Sequence, residues 1–175
     1  MTLSSGQTVA PFNFVDQSGK ELKFPDDFNS KVAVFFLRHL GCPLCKEKID
    51  ELKKNQPRFA QKGVRLVVVV QSTPKRAQEV HLSQGLPYIL APDREKRLYN
   101  LFDVKKGGLK EFTAPAAAKA SLRAMFKGHL HGKFEGDEFQ VPASFLLGPD
   151  GAVIYAHYGK DISDFGNIDE LLAYA

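Results

Sequence analysis

Val32-Ala33-Val34-Phe35-Phe36-Leu37-Arg38-His39-Leu40-Gly41-Cys42-Pro43-Leu44-Cys45 decides the fold, because it runs from an unbroken apolar segment straight into the chain's only two cysteines. Residues 32–37 have the length and β-rich composition of a buried strand. Pro43 sits where proline is favoured, at the first position of a helix. Beyond it Cys45, Ile49, Leu52, Gln56 and Phe59 recur near helical spacing, with Lys46, Glu47, Asp50, Lys53 and Lys54 mostly between them. A strand thus delivers a C-x-x-C pair to a helix N-terminus, where unpaired N–H groups and the helix dipole favour a thiolate. Arg38 adds a fixed positive charge beside it and His39 a titratable one. Lys46, in the first turn, is either a further tuning charge or part of a solvated helix face. His39 is either a proton shuttle or a strand-end residue with its ring in solvent.

Several other uses of the pair fit less well. A disulfide closing so small a ring adds only roughly 2 kcal/mol, too little for a structural staple. Two cysteines in 175 residues do not make a disulfide scaffold. Zinc needs two further ligands from His39, His81, His129, His131 and His157, of which only His129 and His131 lie close together, as H-x-H. Redox chemistry is the expected role, with no metal and no cofactor.

Outward from this stretch the pattern is α/β. Ala10 to Phe24 alternates around a turn at Asp16-Gln17-Ser18-Gly19 and reads as an N-terminal hairpin. The helix after the cysteines is expected to stop near Pro57 or, kinked, near Gly63. Val64 to Val70, broken only by Arg65, is a second interior strand parallel to the first. Thr73 and Pro74 open a helix that ends at Gln84-Gly85. Leu86 to Leu90 is a short extended piece, and Asp93 opens a helix carrying Leu98, Leu101 and Phe102. Regularity weakens from Lys105 to Asp137, an insertion with one helix near Ala116 to Phe126 that serves as a lid, a specificity loop or surface filler. Val141 to Leu147 and Ala152 to Tyr158 form a hairpin, and Asn167-Ile168-Asp169-Glu170 caps the last helix. All 175 residues are read as one domain.

Composition limits the partners. The formal charge of +4 is mild and the lysines are spread along the chain, so nucleic acid is not expected. No apolar run approaches the roughly 20 residues of a membrane span, and Met1 to Gly6 lacks the features of a secretory signal, so neither a membrane partner nor export is expected. A reducing, cytoplasmic setting follows.

Taken together, Ala10-Pro11-Phe12 with Asp16 to Gly19, the strand ending in Cys42-Pro43-Leu44-Cys45, Leu86-Pro87-Tyr88 with Ala91-Pro92-Asp93, and Pro142-Ala143-Ser144-Phe145 before Asp150-Gly151 resemble a known group. They are similar to thioredoxin-fold proteins of the alkyl hydroperoxide reductase and thiol-specific antioxidant family, including peroxiredoxin-like members with a C-x-x-C. The resemblance covers most of the chain and is poorest over the insertion. It implies a thioredoxin-like fold of the glutathione-peroxidase or peroxiredoxin type, a central mixed sheet flanked by helices, with Pro142 in a cis peptide facing the dithiol.

The resemblance also implies two competing assignments. In a thioredoxin-like one, Cys42 is the exposed attacking thiolate, Cys45 the buried resolving thiol, and Pro142 shapes the substrate groove. In a peroxiredoxin-like one, Cys45 takes the peroxide-reducing position, with Glu47 two places later as that family's acidic residue, and Cys42 stands where the family carries threonine. The family's peroxide-orienting arginine aligns at about Pro142, so the usual activating pair is replaced by a thiol and a proline. Thiol–disulfide exchange by the dithiol is therefore the first expectation, and reduction of hydrogen peroxide or alkyl hydroperoxides the alternative. Both need an electron-donating thiol system of the thioredoxin or glutathione type. A redox-sensing adaptor without turnover is the reading from another class. A lipid endoperoxide reductase, served by Phe112, Met125, Phe126 and Phe134 of the insertion, is a further one.

Overall fold

Period-two burial along β3 (Lys31–Phe36) organises the molecule. Ala33 and Phe35, continued by Leu37, point to one side of the sheet, and Val32, Val34 and Phe36 to the other. A computed structural model describes residues 2–132 and 135–175. Two strands precede β3, β1 (Phe12–Val15) and β2 (Glu21–Phe24), which pair antiparallel with Phe12 opposite Phe24 and Phe14 opposite Leu22, as the hairpin reading requires. After α1 (Pro43–Gln61) comes β4 (Val64–Val70), parallel to β3. Arg65, the one polar break in that strand, leaves the core and lies over the Phe28 ring, 4.3 Å from its centroid.

The chain continues through α2 (Pro74–Gln84), β5 (Ile89–Pro92), α3 (Arg97–Leu101), α4 (Leu109–Phe112) and α5 (Pro115–Phe126). It closes with β6 (Ala143–Leu147), β7 (Val153–Tyr158) and α6 (Ile168–Ala173). The main sheet has the order β5-β4-β3-β6-β7, parallel on the β4–β5 side of β3 and antiparallel on the β6–β7 side. One face carries α1, α2, α5 and α6; the other is an aromatic layer in which the β1–β2 hairpin and α3 cover Phe36, Phe102 and Phe145.

Local capping explains the helix starts. Thr73 Oγ1 accepts the Arg76 N–H at 3.3 Å, and Asn167 Oδ1 accepts the N–H groups of Asp169 and Glu170. Asp93 does not itself open a helix. Its carboxylate accepts the N–H groups of Arg97, Leu98 and Tyr99, so it caps at a distance a helix that begins four residues later. The extended piece expected at 86–90 lies further on, at Ile89–Pro92, because Leu86 and Pro87 complete the turn after the left-handed Gly85. Helix α1 runs through Pro57 and stops before Gly63, whose φ of +64° a glycine adopts without strain.

Two expectations about prolines and exposure fail. The cis bond among the described residues is Phe24–Pro25, so Val141–Pro142 is trans. Pro142 still precedes β6 directly, at the end of the sheet where Phe36 pairs with Ala143. Cys42, expected to be exposed, is 0% accessible, as is Cys45. The cover comes from the insertion and the residues just after it: Leu130, Gly132 and Glu138 contact Lys46, Gly41 and Arg38 of the β3–α1 loop and the first turn of α1. Phe134, noted among the insertion's apolar side chains, lies outside the described residues.

Candidate active site

The loop from Leu37 to Gly41 is fixed from beneath before it reaches the cysteines. Leu37 N–H donates to Val69 O and Gln71 N–H to Arg38 O, both at 2.9 Å, extending the β3–β4 ladder past the strand end. The buried Tyr99 hydroxyl donates to Leu37 O as well. Cys42 is then the N-cap of α1, with its sulfur 3.5 Å from the Cys45 N–H, and Pro43 opens the first turn. Both thiols are free and the two cysteines stand 3.4 Å apart.

Arg38 binds the pair from two directions. Its guanidinium Nη2 is 2.7 Å from Cys42 Sγ, and its backbone N–H donates to Cys45 Sγ at 3.3 Å. Burial alone would raise the Cys45 thiol. The Cys42 hydrogen bond, the Arg38 charge and the backbone N–H groups of Arg38 and His39 outweigh it and bring Cys45 down to about 7. Cys42 moves the other way, pushed well up by burial and by the charge and hydrogen bond of Cys45 against the pull of Arg38. The pair therefore holds one negative charge readily and a second only at cost.

Glu138 closes the site from above. Its carbonyl accepts from Arg38 Nη1 at 2.7 Å, its Oε2 lies 3.6 Å from the same nitrogen, and its Oε1 approaches His39 Nε2 to 2.6 Å. That last approach is a close polar contact without the alignment of a hydrogen bond. His39, expected to be either a shuttle or a solvent-facing cap, has a fully buried ring. Burial, together with the charges of Arg38 and His131, lowers its pKa despite Glu138, so it is neutral over most of the physiological range.

His39 Nε2, His131 Nε2 and a Glu138 oxygen lie within 4.8 Å of one another, a spacing that would suit a metal ion. The His39 tautomer argues against it. Gly41 N–H donates to His39 Nδ1 at 3.2 Å, which puts the ring proton on Nε2, whereas a metal-binding nitrogen must be bare and the other nitrogen a donor. His129, the other half of the H-x-H, faces Asp50 at 3.6 Å instead.

The remaining expected residues divide. Lys46 does not reach the sulfurs; Nζ donates to Leu130 O at 2.7 Å and holds down the insertion. Glu47 is also outside the dithiol's contacts, gripped by Arg123 Nη2 at 2.9 Å and Lys127 Nζ at 2.7 Å from α5. Arg123 thus reaches α1 at Glu47 and not at the sulfurs, and the guanidinium beside the dithiol is that of Arg38. Gly132 N–H donates to Gly41 O at 2.8 Å; a Cβ there would lie 3.3 Å from Gly41 Cα, so glycine permits the close crossing. The charged cleft of about 520 Å³ between α1, α5 and residues 163–166 has Leu44 and Glu47 in its wall but neither cysteine.

A model of the AhpC/TSA family matches residues 5–156. The chain belongs to the AhpC/TSA family. Membership makes it a thiol-dependent oxidoreductase or peroxidase. The chain is similar to peroxiredoxin-like 2C of Bos taurus, 27% identical over 175 residues that cover 94% of this chain and 76% of the relative. It is also similar to a prostamide/prostaglandin F synthase of Salmo salar, 27% identical over 82% of this chain and 74% of that one. Among solved structures, peroxidoxin BcpB of Mycobacterium tuberculosis shares the fold with a TM-score of 0.73 at 18% identity, covering 98% of this chain and 96% of that one. Peroxiredoxin Q of Xanthomonas campestris does so with a TM-score of 0.69 at 17% identity, covering 99% and 94%.

Proposed function

We propose that this AhpC/TSA protein reduces a small hydroperoxide, with Cys45 as the attacking thiolate and Cys42 as the resolving thiol. The observation that carries the reading is the unequal pair: Cys45 is brought to about 7 while the neighbouring Cys42 is pushed up and keeps its proton. The Cys45 thiolate attacks the near oxygen of the peroxide, the O–O bond breaks, and the leaving alkoxide or hydroxide takes a proton. Cys45 is then a sulfenic acid. The Cys42 sulfur attacks it, releasing water and closing the disulfide, which an external dithiol of the thioredoxin or glutathione type returns to two thiols. Burial of both sulfurs favours a small peroxide over a protein disulfide, because a protein substrate needs the cover formed by Leu130, Gly132 and Glu138 moved aside. A dithiol that must be returned to two thiols after each turnover suits a reducing compartment such as the cytoplasm.

A second reading rests on one contact. The Arg38 guanidinium, 2.7 Å from the Cys42 sulfur, supports Cys42 as the attacking thiolate of a disulfide oxidoreductase. Stopped-flow reaction of the reduced protein with hydrogen peroxide, beside a small disulfide, separates the two. Under the first reading Cys45→Ser abolishes fast peroxide consumption, and Cys42→Ser reacts once and accumulates a dimedone-reactive sulfenic acid. Fast, Cys42-dependent disulfide exchange with slow peroxide consumption establishes the second. Slowness toward both leaves the sensing adaptor. A lipid endoperoxide, suggested by the Salmo salar relative's name, is tested in the same assay.

A further inference from the structure

Helix α5 presents three faces, and the dithiol chemistry uses none of the outermost one. Ala117, Ala120 and Ala124 are buried against the body of the protein. Lys119, Arg123 and Lys127, spaced i, i+4, i+8, form a second stripe, whose last two members hold Glu47. Leu122, Met125 and Phe126 form the third, directed away from the core and 56%, 49% and 85% exposed. Leu130 and Leu109 nearby are 64% and 69% exposed. Among the described residues nine large apolar side chains are exposed, and six of them lie between residues 109 and 130.

Charge is concentrated in the same segment. Residues 105–132 carry six Lys or Arg against one Glu, more positive charge than the whole chain's net +4. The segment has few acids of its own, so its cations draw on acids outside it: Lys105 meets Asp103, Lys106 meets Asp137, and Arg123 and Lys127 share the single charge of Glu47.

We infer that this face of the insertion docks on an anionic lipid membrane, with α5 lying in the interface and Leu122, Met125 and Phe126 entering the acyl boundary. A helix with an apolar face bordered by Lys and Arg is what binds such an interface. Phe126 and Leu130 lie exposed on either side of the helix end, and a fluid acyl layer accommodates such side chains without a matching groove. No helix among the described residues is long and apolar enough to cross a membrane, and docking requires none. Lys46, which holds Leu130, follows Cys45 in α1, so the segment carrying Leu130 is tied to the helix turn that carries the dithiol.

The test uses the full chain, which contains no tryptophan. Phe126→Trp supplies a single reporter, with Leu82→Trp, at another exposed position, as the control. On mixing with phosphatidylglycerol/phosphatidylcholine vesicles, Trp fluorescence of the Phe126→Trp protein is expected to shift to the blue, and that of the control to stay. In cosedimentation, Leu122→Ser with Phe126→Ser is expected to lower binding at least about tenfold; both sites are solvent-facing, so the fold is kept. Raised salt is expected to weaken binding of the wild type. An unshifted spectrum, binding unchanged by the double substitution, or a concentration-dependent dimer that the double substitution dissolves would overturn the proposal, the last by giving the face to a second copy. Vesicle binding is read without turnover, so it stands or falls apart from the assignment of the cysteines.

Discussion

The guanidinium of Arg38 lies 2.7 Å from the sulfur of Cys42, while the backbone N–H of the same residue donates to Cys45 at 3.3 Å. One residue thereby stabilises negative charge on either sulfur, and the short loop that carries it is tied to β4 on one side and to Glu138 on the other.

Replacing Arg38 with methionine removes the charge and leaves the backbone donor. The Cys45 thiol is expected to rise by about one unit or more from its position near 7, cutting the thiolate fraction at pH 7 from about a half to about a tenth. The pH dependence of alkylation by iodoacetamide, residue by residue, measures this. An unchanged midpoint would show that the Cys42 hydrogen bond and the N–H groups hold the thiolate without the guanidinium.

Glu138→Ala removes the carboxylate from Arg38 and His39 but keeps the carbonyl that accepts from Arg38. The 135–140 segment is expected to open more often, raising the alkylation rate of the buried thiols severalfold at fixed thiolate fraction. Hydrogen exchange at Gly132 N–H, bonded to Gly41 O, is expected to quicken in parallel.

Glu47→Gln tests whether Glu47 serves chemistry or packing. Burial alone would raise its carboxyl, and Arg123 and Lys127 outweigh it, so the carboxyl sits below its ordinary range. A folded-state pKa below the unfolded value gives stability above the unfolded value that is lost as pH falls through the folded one. The wild type's advantage over Glu47→Gln is therefore expected at neutral pH and to vanish in acid. Both partners are 58% exposed, so solvent screening limits it to about 1 kcal/mol or less. Peroxide kinetics at pH 7 are expected to stay within about twofold of wild type, because the carboxylate contacts neither sulfur.

Tyr99→Phe deletes a fully buried hydroxyl that donates to Leu37 O and lies 3.2 Å from Val69 O. The loss leaves a buried carbonyl short of a partner at the strand end that carries Arg38. A cost of about 1–2 kcal/mol follows, read as a fall in Tm of roughly 2–8 °C.

Much of this architecture is legible in the chain because local signals and tertiary demands agree. The apolar run at 32–37, the N-cap at Thr73 and the turn at Asp16 to Gly19 each carry their own geometry, and each forms where periodicity and turn chemistry place it. The cysteines' position at a helix start is legible for the same reason. The cover over them is not. Glu138 meets Arg38 across 100 positions of sequence, and nothing in the spacing of either residue announces the pairing. Burial of Cys42 and His39 was hidden by the same fact, since their exposure is set by a distant segment rather than by their neighbours. Asp93 misled in a simpler way: its side chain reaches past the residues beside it to the N–H groups of 97–99.

Lys106 and Gln140 pair as an isolated antiparallel bridge, Gly107 N–H donates to Phe139 O at 2.8 Å, and the buried Gln140 amide donates to Val104 O and Lys105 O. The whole excursion that covers the dithiol therefore leaves the sheet and rejoins it at a single clamp. Such a clamp makes the excursion a cassette: its length and composition can drift while its two ends stay in register with β6 and the turn after α3. Changes within the excursion can in that way alter what reaches an unaltered pair of sulfurs.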